Sequence, residues 1–177
     1  GTGDKQIKSA VTKSNPSTMA PWQKSLPLDG QSIVASVDAL PPAERVFALD
    51  EDGDGIDELF GAIGETLWRY SLKDSTLRRE THHGSGTVQR MMVAPWLGKR
   101  HVFLAKGRGR GLQGSVSVQV RASNALSFNV DSLYVVTGKR NDVSGLSFVS
   151  SMGDKPGGVV LTSFLSKYQV RTLLIGP

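Results

Sequence analysis

The chain of 177 residues contains no cysteine and no long apolar run. Without cysteine it has no thiol nucleophile and forms no disulfide, and this absence is compatible with any cellular compartment. No segment approaches the ~20 consecutive apolar residues that a membrane-spanning helix needs. Residues 1–30 do not read as a signal peptide, although one could have been removed. Within the 177 residues these absences exclude a cysteine nucleophile and a membrane-spanning helix.

Acidic residues are scarce in the second half of the chain. Residues 1–88 contain 9 Lys/Arg and 13 Asp/Glu, a net charge of −4. Residues 89–177 contain 12 and 3, a net charge of +9, and the two halves sum to the overall +5. A positive field of this kind attracts anionic partners.

The acids of the first half are concentrated at residues 50–58, which read DEDGDGIDE. Ca²⁺ takes about six to eight oxygen ligands, and glycine lets a loop fold tightly around an ion. The stretch therefore predicts a calcium loop; the alternative is a solvated acidic turn, since Asp-Gly pairs are ordinary turn residues. The predicted ligands are the carboxylates at positions 1, 3 and 5, the carbonyl at position 7 and the acid at position 9: Asp50, Asp52, Asp54, Ile56 and Glu58.

The flanking residues argue against an EF-hand. An EF-hand has a glutamate at position 12 and a helix on each side of the loop. Position 12 here is Gly61, and residues 44–49 follow two prolines and read as a strand. Residues 66–72 are rich in aromatics and end in a turn cluster. The predicted loop therefore lies between strands.

Residues 46–61, VFALDEDGDGIDELFG, resemble an FG-GAP or VCBS-type repeat. Such repeats occur in integrin-α-like β-propellers and in many secreted bacterial proteins, where the loop joins two strands of a blade and binds Ca²⁺. The resemblance covers one repeat and implies the same role for this loop. Glu58 stands where the family usually has Asp, and its longer side chain could still reach the ion.

An internal repeat supports the blade interpretation. Residues 46–56 align without a gap with residues 102–112, VFLAKGRGRGL, at an offset of 56 (102 − 46). Lys106, Arg108 and Arg110 replace the three ligand carboxylates. Because cations cannot ligate Ca²⁺, the second loop is predicted to be free of metal.

Lys106, Arg108 and Arg110 are instead candidate anion-binding residues. The alternatives are a metal loop that has lost its function and turns its cations to water, or a loop that binds an anionic protein or polysaccharide. Nucleic acid is the least favoured partner, because single-strand binding usually adds stacked aromatics. Only Phe103 and Trp96 are near in sequence.

The predicted fold is all-β, with about three propeller-like blades of four strands. Residues 1–30 are predicted to be a polar arm, followed by units at 31–84, 85–140 and 141–177. A closed propeller has about 4–8 blades, so we expect a fragment of a longer propeller; the alternatives are copies that complete a ring and an open three-unit β array. Strands are predicted at 32–37, 46–49, 66–72, 77–80, 89–94, 102–105, 115–121, 132–136, 145–149, 158–162 and 169–175.

Other residues give weaker signals. His82 and His83 are adjacent, and adjacent side chains of a strand point to opposite faces, so a shared zinc ion is disfavoured. Trp68 and Tyr70 lie on one face of a predicted strand, where core or inter-blade packing is favoured over a sugar platform.

These observations predict a non-enzymatic binding or scaffold module with a structural Ca²⁺ and a protein partner. A calcium loop of this kind works best where calcium is millimolar, outside the cytosol. We therefore expect an extracytoplasmic bacterial protein, and the N-terminal arm could tether it to a membrane. The alternatives are an accessory or catalytic module that acts on anionic polysaccharide, and a nucleic-acid-binding protein.

Overall fold

The computed structural model describes residues 40–107, 109–129, 133–164 and 166–177. These residues form strands and no helix, which confirms the all-β prediction. The predicted arm and the predicted strand at 32–37 lie outside the described residues. The strands are β1 (Arg45–Leu49), β2 (Glu58–Ile63), β3 (Thr66–Ser71), β4 (Leu77–Glu80), β5 (Thr87–Trp96), β6 (Lys99–Gly107), β7 (Gly109–Ala122), β8 (Tyr134–Met152), β9 (Lys155–Phe164) and β10 (Val170–Ile175).

The first sheet is an antiparallel meander of β1, β2, β3 and β4 in chain order. A tight turn at Gly64, whose φ of +54° suits glycine, joins β2 to β3. The last residue pair of β1 and β2 is Leu49 with Glu58, so the acidic loop is the connection between these two strands. The loop therefore lies between strands, as the sequence predicts.

The second sheet contains β5, β6, β7 and the first part of β8, and the third contains the rest of β8 with β9 and β10. β8 is long enough to belong to both. Predicted strands at 132–136 and 145–149 were expected to be separate, and this was wrong. The polar residues between them pair with the neighbouring strands and continue β8.

Two apolar clusters fill the spaces between the sheets. The first contains Phe60 and Leu67 from the first sheet and Val102 and Leu104 from the second. The second cluster joins the opposite face of the second sheet, including Phe103, to strands of the third sheet. The second sheet is therefore covered on both faces, and it forms the centre of a three-layer arrangement.

The described part of the chain contains no helix long and apolar enough to cross a membrane.

Candidate metal loop and its charged surroundings

The acidic loop brings three carboxylates together. One oxygen each from Asp50, Asp52 and Asp54 lies within 4.8 Å of the other two. Gly53 and Gly55 have φ values of +84° and +87°, in the left-handed region that glycine adopts without strain. The loop therefore turns tightly enough for residues at alternate positions to face a common point.

Backbone hydrogen bonds hold all three of these side chains in place, including Asp52, whose carboxylate accepts from the N–H of Asp54 at 3.1 Å. The Asp50 carboxylate accepts from the backbone N–H groups of Gly53, at 2.8 Å, and Gly55, at 3.2 Å. The Asp54 carboxylate accepts from the N–H of Ile56 at 2.8 Å. Asx turns of this kind fix the positions of these carboxylates within the loop.

The donor set fits a hard cation. Its members are carboxylate oxygens, which Ca²⁺ prefers, and their spacing of up to 4.8 Å matches two ligands that each lie about 2.3–2.6 Å from one ion. The residues present thus fit the calcium ion that the sequence predicts. The carbonyl of Ile56 as a further ligand stays a prediction.

Glu58 is not part of the three-carboxylate cluster. Its side chain is buried, and one oxygen accepts from the backbone N–H of Glu51 at 2.9 Å. The other oxygen lies 3.2 Å from the Arg69 guanidinium. Glu58 therefore closes the base of the loop, where β2 begins, and the sequence prediction did not include this contact.

Two cations lie against the loop. Lys73 donates to the Asp54 carboxylate at 2.7 Å, and this hydrogen bond holds the pKa of Asp54 below its usual value. Arg100 donates to the backbone carbonyl of Asp50 at 2.6 Å and to that of Glu51 at 3.1 Å. Its guanidinium is also 3.6 Å from the Asp50 carboxylate. Both cations reduce the repulsion between the acids of the loop.

The second residue of the loop, Glu51, points into the protein. It is fully buried and forms ion pairs with Arg69, at 2.6 Å, and Arg121, at 2.5 Å. It also accepts from the backbone N–H of Asn124 at 2.6 Å. Because Arg69 belongs to the first sheet and Arg121 to the second, Glu51 links the loop to both sheets.

Glu80 extends this buried network. It lies 2.8 Å from Arg78 and 3.1 Å from the Nε of Arg121, although the second contact lacks the angles of a hydrogen bond. The Arg121 guanidinium also lies over the ring of Phe128, 5.1 Å from its centroid. The network thus connects three buried carboxylates to arginines from both sheets, and no pattern in the sequence predicts it.

The buried acids differ in their pKa. Burial works to raise the pKa of Glu51, but hydrogen bonds and charge from Arg121 outweigh it and lower the pKa. Burial raises the pKa of Glu80 and of Glu58 despite the arginines beside them. Of the three buried acids, Glu51 is therefore the one whose surroundings lower its pKa and favour the charged form.

The basic loop differs from its acidic counterpart. β7 begins at Gly109, so most of the basic segment belongs to a strand, whereas residues 50–57 lie between two strands. Part of it, at Gly109 and Arg110, continues the ladder to β8. Arg108 lies outside the described residues. For Arg110 the structure describes only the backbone, so anion binding at both residues stays a prediction.

The side chain of Lys106 does not face solvent. The side chain is 1% exposed, and its ammonium donates to the carbonyls of His83, at 2.9 Å, and Gly84, at 2.5 Å, with His82 Nδ1 at 2.8 Å. The prediction that Lys106 binds an anion is therefore wrong. Its ammonium holds the turn after β4. Lys106 is buried because it lies on the face of β6 that packs against the first sheet, together with Val102 and Leu104.

The two histidines do not converge on a metal. His82 contacts Lys106, and burial together with that positive charge lowers the pKa of His82 to about 4. His83 is held through its backbone, whose N–H and carbonyl both bond to Gln119. Among the described residues, the only group of carboxylates and imidazoles spaced to hold a metal ion is the acidic loop.

Comparison with known proteins gives no family assignment. No family model, no curated protein and no solved structure matches the chain. The resemblance of residues 46–61 to an FG-GAP or VCBS-type repeat is therefore neither supported nor contradicted by these comparisons.

Proposed function

We propose that the chain is a non-enzymatic binding or scaffold module in which the loop at residues 50–58 holds a structural Ca²⁺. The convergence of the Asp50, Asp52 and Asp54 carboxylates within 4.8 Å is the observation that supports this most directly. Ca²⁺ would supply positive charge at the point where three like charges meet. It would thereby stabilise the closed form of the loop.

The chemistry of the donors favours calcium over other metals. Zinc in proteins usually takes histidine or cysteine ligands, and the three-carboxylate cluster contains neither. Mg²⁺ requires a near-ideal octahedron and keeps much of its water. A loop that offers several carboxylates, with room for a carbonyl and for water, suits the larger and more adaptable calcium shell.

The buried acids support a structural role over a catalytic one. Glu51, Glu58 and Glu80 are each 0–3% exposed and each pairs with arginine. In this position they cannot reach a substrate to exchange protons with it. Their contacts instead stabilise the packing of the first sheet against the second.

The architecture is compatible with propeller-like blades. Three small antiparallel sheets pack face to face, and strands that follow one another in sequence are neighbours in each sheet. We infer that these sheets are blades of a partial propeller, and that the outer surface binds a protein partner. Calcium sites of extracellular modules have Kd values of about 0.1–1 mM and fill only where calcium is millimolar. We therefore propose that the protein lies outside the cytosol.

The experiment is a calcium-dependent thermal melt of the wild type, Asp52→Ala and Asp57→Ala. Asp57 is an exposed acid of the same loop that lies outside the cluster, which makes it the matched control. At 10 mM Ca²⁺ and a Kd of about 0.1–1 mM, linkage predicts a rise in Tm of roughly 3–11 °C. We expect this rise in the wild type and Asp57→Ala and its loss in Asp52→Ala.

An equal concentration of Mg²⁺ corrects for ionic strength. If the wild-type Tm is the same in Ca²⁺ and in Mg²⁺, or if Asp52→Ala retains the full rise, the calcium role is wrong.

A further inference from the structure

The turn between β3 and β4 presents a lysine to the acidic loop. Lys73 lies two residues after the last residue of β3, and its ammonium is 2.7 Å from the Asp54 carboxylate. Its side chain is 59% exposed, so the contact is not enforced by burial. One carboxylate of the predicted metal site therefore already has a cation of the chain's own.

Strand pairing explains why Lys73 is there. Glu58, the first residue of β2, pairs with Ser71, the last residue of β3. The acidic loop therefore joins β2 at the same end of the sheet at which β3 ends. A side chain just beyond Ser71 is thus within reach of the loop, whatever its chemical type.

Arg100 has a different relation to the loop. It donates to the carbonyls of Asp50 and Glu51 as well as approaching the Asp50 carboxylate, so it holds the backbone. The described contact of the Lys73 ammonium is with the Asp54 carboxylate, the group a metal ion would need. Only Lys73 can move away without releasing the backbone, because its stem is long and exposed.

We infer that Lys73 is a tethered competitor that sets the affinity of the loop for Ca²⁺. This inference rests on the proposed calcium role. When Ca²⁺ enters, the ammonium leaves Asp54 and remains nearby as a like charge, and both effects weaken binding. When Ca²⁺ leaves, Lys73 returns and limits repulsion among the three carboxylates. The lysine thus raises the calcium concentration at which the loop fills.

The test is isothermal titration of CaCl₂ into four forms of the 177-residue chain: the wild type, Lys73→Met, Lys73→Arg and Lys155→Met. Lys73→Met keeps the length of the stem and removes the charge, and Lys73→Arg restores a cation. Lys155→Met removes the same charge from an exposed site on β9, in the third sheet. We expect Lys73→Met to bind Ca²⁺ about three- to tenfold more tightly than the wild type. Lys73→Arg and Lys155→Met should stay within about twofold of the wild type.

Salt provides a second readout. Because the competition is electrostatic and exposed, the ratio of affinities between Lys73→Met and the wild type should shrink as NaCl rises from 50 to 500 mM. A purely structural effect of the methionine would not depend on salt in this way.

The outcomes separate the two claims. Tighter binding in Lys73→Met alone, or binding in Lys73→Met where the wild type shows none, supports the inference. Equal affinity in all four proteins overturns the inference and leaves the calcium role intact. If none of the four binds Ca²⁺, the calcium role itself fails and the inference fails with it. Circular dichroism of each variant verifies that the exposed substitutions leave the fold unchanged.

Discussion

At the scale of single residues, Gly61 shows how tightly the first sheet is built. It pairs with Trp68 across β2 and β3, and a Cβ atom added to Gly61 would overlap the indole ring. Trp68 is 4% exposed, and its Nε1–H donates to the carbonyl of Pro42. The burial of Trp68 agrees with the packing role that the sequence favours over a sugar platform. It also gives a physical reason for glycine after Phe60.

Gly61→Ala should therefore destabilise the protein by at least about 2 kcal/mol, because the indole would have to move within a packed region. Gly145→Ala is the matched control. Its Cβ would lie 3.6 Å from the nearest atom of Thr162, an ordinary contact, so we expect a change within about 1 kcal/mol. Urea denaturation measures both. Equal stability of the two variants would contradict this account of the glycine.

At the scale of elements, β7 shows the limits of prediction from sequence. The alternation of Val116, Val118 and Val120 with polar residues predicts a strand that is buried on one face only. The position of the strand is confirmed, but its polar face is buried as well: Gln119 and Arg121 are 2% and 1% exposed. The first sheet covers that face, and a periodicity within one strand contains no information about what packs on it.

The same limit applies to the site. Alternation along the loop placed Asp50, Asp52 and Asp54 together, and the structure shows this cluster. The partners of Glu51 are out of reach of such reasoning. Arg121 is 70 residues away in sequence, and it meets Glu51 only because the second sheet packs on the first. Local patterns therefore predict the local part of the site, and the long-range charges require the tertiary fold.

Glu51→Gln should show what the network contributes. The substitution keeps the size of the side chain and leaves Arg69 and Arg121 without their shared carboxylate. We expect the free energy of unfolding in the absence of Ca²⁺ to fall by about 3 kcal/mol. Glu44→Gln, at an exposed glutamate before β1, should change it by less than about 0.5 kcal/mol. If the two variants are equally stable, Glu51 does not link the sheets.

At the scale of the whole molecule, the acidic loop has two directions of contact. Residues at its odd positions, Asp50, Asp52 and Asp54, face a common point near solvent. Glu51, between them, enters the buried charge network, and Arg100 from the second sheet holds the backbone carbonyls on either side. A cation in the loop would therefore stabilise a segment that joins two of the three sheets. This arrangement supports the structural role that we propose for the ion.

The most direct measurement is a crystal structure of the protein grown with 10 mM CaCl₂. The account predicts a density peak with oxygens of Asp50, Asp52 and Asp54 at about 2.3–2.6 Å, and with the Lys73 ammonium displaced from Asp54. The carbonyl of Ile56 should complete part of the coordination shell. A loop that contains only water at this position, with Lys73 still bonded to Asp54, would contradict the account.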